Sequence, residues 1–172
     1  MSNSSVKLFS KLDTSRIIEG KQPPIIITDK LRTPENMGLI LRLAANIGAI
    51  NTYFIVDYDK KFRHSKIVKT ASGAASKVDW KIINQEELLS YIPDDYKIIA
   101  LETSEDSVNL FSFVFPEKTA FLVGNEVRGI SSEIIAQAHH KVYIPVPGPI
   151  SSLNVTHALS IGLFEWLRQN LL

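Results

Sequence analysis

Six short runs of this chain are apolar or β-branched almost from end to end, and they narrow the possible folds more than any other feature. They are "IIITD" (25–29), "TYFIVD" (52–57), "VDWKII" (78–83), "KIIALE" (97–102), "TAFLVG" (119–124) and "KVYIP" (141–145). Strands that do not alternate apolar with polar residues belong to sheets covered on both faces. Helical patterns lie between the runs. "NQEELLSYI" opens on Asn84 with Glu87 three residues later, a capping-box arrangement. "SSEIIAQAHH" (131–140) opens with serines and an acid, suited to a helix N-terminus, and the longest helix is expected over 153–169. Strands alternating with helices predict an α/β fold around a parallel sheet. Such sheets bind ligands at the carboxyl ends of their strands, so the loops that matter come after Asp29, Asp57, Glu102, Gly124 and Pro145.

A chain of 172 residues fits one domain with a full core, and 45% hydrophobic against 22% charged residues favours folding over disorder. Residues 1–22 read as a short amphipathic lead-in. No apolar run is long enough to span a bilayer, and "MSNSSVKLFSKLD" has no signal-peptide core. The chain has no cysteine, which excludes disulfides, thiolate catalysis and cysteine zinc sites and fits a cytoplasmic setting. Net charge is only +1, yet "KKFRHSKIVK" (60–69) carries six basic side chains, counting His64, and no acid. Such a run is either a solvated loop and helix start or a local footprint for phosphates.

Several familiar chemistries are missing. No G-x-G-x-x-G comes after the first strand. "GNEVRGIS" has the spacing of a phosphate loop, but Ile130 stands where the lysine must be. There is no H-E-x-x-H. The adjacent His139 and His140 would point apart on a helix, so no metal site is expected. Ser152 and His157, five residues apart, fall on different faces of a helix.

Three clusters remain, each after a strand. In "TPENMGLILRLAANIGA" (33–49), Asn36 sits where a helix cap belongs. Arg42 shares a helical face with the small residues Gly38, Ala45 and Ala49 and with Asn46, which suggests close approach by a ligand or a second subunit, or else a salt-bridged surface arginine. In "FLVGNEVRGIS" (121–131), Gly124 and Gly129 bracket Glu126, glycines that allow close backbone approach or positive φ. The third, "IPVPGPISSLNVTHALSIG" (144–162), spends prolines, glycine and serines on one strand-to-helix connection. Pro145, Pro147 and Pro149 stiffen it, and Ser151 or Ser152 is expected to cap the helix. Asn154 would then lie in the first turn, where asparagine is a poor helix former.

Taken together and in this order, "NMGLILRLA", "GNEVRGIS" and "IPVPGPISSLNVTHALSIGLFEWLRQ", with "KIVKTASGA" (66–74), resemble the SpoU/TrmH branch of the SPOUT RNA methyltransferases. The resemblance runs from about residue 23 to the C-terminus. Val146 and Pro147 depart from the branch's usual methionine and non-proline, and a single domain without the accessory RNA-binding domain of many relatives is expected. The resemblance implies that residues 23–172 form a parallel-sheet α/β knot domain whose C-terminal segment makes a deep trefoil knot. It implies a homodimer, S-adenosylmethionine as cofactor, no metal, and methylation of a ribose 2′-hydroxyl in tRNA or rRNA. It assigns catalytic roles to Arg42, Asn36, Glu126, Ser152 and Asn154. It assigns cofactor contacts to Leu101, Gly124, Ile144, Ser152 and Leu153. RNA contacts would come from Lys60, Lys61, Arg63, Lys66, Lys69 and Arg128. A catalytically inactive RNA-binding relative is the alternative from a non-enzyme class, and an unrelated α/β enzyme acting on a small nucleotide is a second.

Overall fold

The structure, a computed structural model, describes residues 20–57 and 62–171, so most of the expected lead-in lies outside the described residues. The apolar runs become β1 (Ile25–Asp29), β2 (Asn51–Ile55), β3 (Asp79–Ile83), β4 (Lys97–Leu101), β6 (Thr119–Val123) and β7 (His140–Tyr143), with a two-residue strand β5 (Val108–Asn109) that the sequence pattern did not announce. They form one sheet in the order β3-β2-β1-β6-β4-β7-β5, and every neighbouring pair is parallel.

Successive side chains of a strand leave on opposite faces, so each apolar run feeds two cores. Ile26, Phe54, Ile99, Phe121 and Val123 go to one, and Ile25, Ile27, Ile98, Ala120 and Leu122 to the other. The first face is covered by α1 (Pro34–Ile47), α2 (His64–Ala71) and α5 (Val155–Leu171), which bury Met37, Ile40, Leu41, Ile67, Leu159, Leu163 and Trp166 against it. Each such side chain contributes about 1.5–3 kcal/mol on leaving water. The second face is covered by two four-residue helices, α3 (Leu88–Tyr91) and α4 (Ser132–Ile135), through Leu88 and Ile134.

Local signals account for most element ends, and four expectations need correction. The reciprocal Asn84–Glu87 capping bonds are present ahead of α3. The cap of α1, however, is Thr33, whose hydroxyl accepts from the Asn36 amide at 3.2 Å. Pro34 takes the first helical position, where a missing N–H costs nothing. Asn36 is thereby a turn further in, with its side chain free of capping. The expected helix over 131–140 stops at Ile135, because β4 draws the residues beyond it into the sheet. His139 donates its amide to the Ile98 carbonyl at 2.8 Å, and its Nδ1 accepts from the Ile98 amide at 3.1 Å.

Neither Ser151 nor Ser152 caps α5. The cap is Asn154, whose Oδ1 accepts from the Thr156 amide at 2.9 Å and hydroxyl at 2.6 Å. It lies outside the helix, so the propensity cost expected of it does not arise. The small-residue face around Arg42 is also partly explained within the chain. A Cβ on Gly38 would stand 2.6 Å from Thr70 Cβ and 2.7 Å from the Ile67 carbonyl oxygen, so that glycine lets α2 lie directly on α1.

Candidate active site

The carboxyl ends of β4, β6 and β7 open onto one cavity of about 420 Å³, lined by segments 101–103, 123–127, 142–144 and 151–153 together with Gly129, Val146, Val155 and Ala158. A shallower hollow adjoins it along Tyr143–Pro147 and shares Thr103 and Ser151. Leu101, Gly124, Ile144, Ser152, Leu153 and Glu126 all line the cavity. Asn36, Arg42 and Asn154 do not.

One wall is the turn 124–130, which the chain holds from several sides. Asn125 and Gly129 exchange backbone bonds at 2.9 and 3.0 Å. Asn125 Oδ1 accepts from the amides of Val127 and Arg128, and its Nδ2 donates to the Lys30 carbonyl at 2.6 Å. A Cβ on Gly124 would stand 2.3 Å from the Gly129 carbonyl carbon, and Gly129 has φ +69°. Both glycines are thus required by the turn folding back on itself. Two acids from neighbouring strands grip its far end. Glu102 Oε2 accepts from the Ile130 amide at 3.0 Å, and the buried Asp29 accepts from the Ser131 amide at 2.7 Å.

This turn presents Glu126 to the start of α1. Its Oε2 accepts from the Arg32 amide at 3.0 Å and its Oε1 from Asn36 Nδ2 at 2.5 Å. Arg42 is exposed and makes no hydrogen bond or ion pair among the described residues, so it is not a salt-bridged surface arginine there. It lies six positions beyond Asn36, about 240° around the helix, on a different side from the Glu126 contact.

The proline-rich segment also contributes to the lining, through Val146 and 151–153. Among the described residues, the amides of Val146, Gly148, Ile150, Ser151, Ser152 and Leu153 have no hydrogen-bond partner, and residues 147–154 are exposed. A stretch with free backbone donors beside a cavity is suited to holding a polar ligand. Among the described residues, Glu102 and Glu126 are the only charged ones lining the cavity.

Of the basic residues expected at RNA, Arg63, Lys66 and Lys69 stand exposed at and along α2, and Arg128 on the turn beside the cavity. Lys66 pairs with Glu35 of α1 at 3.8 Å, which brings that helix beside the start of α1. Lys60 and Lys61 lie outside the described residues. Among the described residues no group of three histidine, aspartate or glutamate side chains is placed to hold a metal ion, and no helix is long and apolar enough to cross a membrane.

Sequence reasoning passed over Glu102, Asn125 and Thr103. The available signals were an acid closing an apolar parallel strand and an asparagine directly after a strand-ending glycine, where its side chain can accept from amides two and three residues on.

A parallel sheet with a cavity at its carboxyl edge places the candidate ligand site of this α/β protein where such sheets bind their ligands. The pattern of the SpoU rRNA Methylase family matches residues 23–164, and the chain belongs to that family. It is 30% identical over 159 residues to the tRNA (guanosine(18)-2′-O)-methyltransferase of Aquifex aeolicus, covering 89% of this chain and 73% of that one. It is also 30% identical over 173 residues to the 23S rRNA (guanosine-2′-O-)-methyltransferase RlmB of Xylella fastidiosa, covering 98% and 68%. Among solved structures, the AdoMet-bound rRNA methyltransferase of Sinorhizobium meliloti superposes with a TM-score of 0.77 at 25% identity. That match covers 88% of this chain but spans only 58% of that one.

Proposed function

We propose that this chain transfers the methyl group of S-adenosylmethionine to a ribose 2′-hydroxyl of tRNA or rRNA, with the cofactor seated in the cavity at the ends of β4, β6 and β7. Membership of the SpoU methylase family makes it an RNA methyltransferase, and the relatives it matches are named for 2′-O-methylation of guanosine. The observation that carries the reading is the convergence, in a chain of this family, of three separate strand ends on one cavity.

The residues present fit such a cofactor. A cavity of about 420 Å³ is of the size of a small-ligand site. Among the described residues its lining is acidic without a base, which suits a cationic ligand, and the amides of Val146, Gly148 and 150–153 are free to meet polar groups. Leu101, Gly124, Ile144 and Leu153 would hold it through their backbones. When bound, the cofactor supplies an electrophilic sulfonium methyl; the chain has to orient the ribose oxygen in line and stabilise its developing charge. Arg42 is suited to that second task, clamping the target phosphate and facing the nascent alkoxide, since a guanidinium hardly loses a proton. The Asn36–Glu126 pair organises the acceptor side, with further roles for Ser152 in the loop and Asn154 at the start of α5. Arg63, Lys66, Lys69 and Arg128 meet the RNA backbone, as would Lys60 and Lys61.

The reading extends to assembly and topology. The proposed assembly is a homodimer in which Arg42, exposed and outside the cavity lining of its own chain, serves the cavity of a second copy. The C-terminal segment makes a deep trefoil knot. In support, β7 enters the sheet between β4 and β5, both earlier in the chain, after β6 has been placed beside β4. The reading places the protein in the cytoplasm.

Calorimetry with S-adenosylmethionine, and transfer of labelled methyl to total RNA followed by nucleoside analysis, test the reading. Cofactor binding with label in 2′-O-methyl nucleosides is expected. Label on a base, or RNA binding without any transfer, overturns it.

A further inference from the structure

We infer that Glu102 is a specificity-determining residue of the cavity, the acceptor for the vicinal hydroxyl pair of a bound nucleoside's ribose; the inference rests on the cavity being the cofactor site. Glu102 stands directly after the last residue of β4 and lines the cavity. Its Oε1 accepts from the Thr103 amide at 3.2 Å and its Oε2 from the Ile130 amide at 3.0 Å. A carboxylate has about four acceptor positions, so about two stay open. No cation neutralises it: Glu102 makes no ion pair among the described residues, and nothing basic among them lines the cavity.

The surrounding chain is fitted to this carboxylate. A Cβ on Gly129 would stand 2.8 Å from Glu102 Oε2, so the turn leaves room for that oxygen. Glu126, the other acid of the lining, is engaged by Arg32 and Asn36 from the start of α1. Glu102 accepts two bonds as well, but both come from backbone amides of the strand end and the turn, so it is an anion fixed within the cavity wall and offered to a ligand's donors. A carboxylate at the end of a parallel strand is a general solution for reading a ribose, because two hydroxyls can donate to it together, each bond being charge-assisted.

The test measures the affinities of 5′-methylthioadenosine, its 2′-deoxy counterpart and S-adenosylmethionine for the wild-type protein, Glu102→Gln and Glu102→Asp. The wild type should prefer the ribonucleoside about tenfold or more, as expected for loss of a bond to a charged group. Glu102→Gln should lose about that factor for the ribonucleoside and for S-adenosylmethionine while the deoxy form hardly changes, so that the preference collapses. Equal weakening of ribo and deoxy forms overturns the inference, since the carboxylate then only shapes the turn. So does weakening confined to S-adenosylmethionine, which would put the amino-acid ammonium on Glu102. Should Glu102→Gln fail to fold, the wild-type ratio and Glu102→Asp decide: no ribose preference in the wild type is refutation. A wild-type protein that binds none of the three overturns the cofactor site itself; one that binds all three without regard to the 2′-hydroxyl overturns only the role of Glu102.

Discussion

Asn36 donates from Nδ2 to Glu126 Oε1 at 2.5 Å, tying the first turn of α1 to the turn after β6 across 90 residues of sequence. The bond exists because Thr33 takes over the capping of α1 and leaves the Asn36 side chain free. Asn36→Asp should set two carboxylates against each other and cut methyl transfer at least tenfold. The double variant Asn36→Asp with Glu126→Gln restores a donor and an acceptor in reversed order. It should recover part of the loss, with a coupling of about 1–3 kcal/mol. Additive losses in single-turnover rates would show that the pair does not act as a unit.

Arg42 is exposed and unpaired among the described residues, so its removal should leave folding nearly untouched. Arg42→Ala is expected to stay within about 0.5 kcal/mol of the parent in urea unfolding. It should bind S-adenosylmethionine normally and lose methyl transfer. Wild-type rates on a verified RNA substrate would remove Arg42 from the reaction.

Gly124 has no room for a side chain, and what it would strike is backbone. Gly124→Ala should cost about 1–3 kcal/mol through displacement of the turn. In a chain of this length that lowers Tm by several degrees, with loss of cofactor binding. A variant with unchanged melting and affinity would mean the turn repacks freely.

The C-terminal helix carries a buried acid with a pH signature. The Arg168 guanidinium, bonded to both oxygens of Glu165 at 2.7 and 2.8 Å, holds that carboxyl below its ordinary value of 4.5, and Gln169 adds a further bond. With the native value depressed, the unfolded chain takes up the proton first as pH falls. This stabilisation is therefore complete above about 4.5 and is lost as pH drops below it through the native value. Glu165→Gln should flatten the acid limb of unfolding stability against pH; an unchanged limb would assign the acid sensitivity elsewhere.

RNA binding should weaken with rising salt if phosphates are the main contact. Arg63→Ala and Lys69→Ala should each reduce the slope of log affinity against log salt by about one. Slopes equal to wild type would take α2 off the RNA path.

The sequence by itself determined the layered α/β architecture. Runs such as "IIITD" and "TAFLV" are apolar on both faces, and only a sheet buried on both sides accommodates that. It also marked the strand ends where the cavity lies, because loops leaving the carboxyl edge of a parallel sheet must meet there. The roles of asparagines were less legible: Asn36 and Asn154 read as cap and helix residue and exchanged those parts, since capping depends on which of several nearby polar side chains the backbone geometry favours. Only the tertiary structure decided that the Glu126 carboxylate is held by Arg32 and Asn36, that Glu102 grips the Ile130 amide, and that Gly38 serves helix packing. The carboxylate contacts join segments 28 to 94 residues apart. Periodicity and propensity act over a few residues, and which distant strand ends become neighbours is set by the order of strands in the sheet, where β6 inserts between β1 and β4.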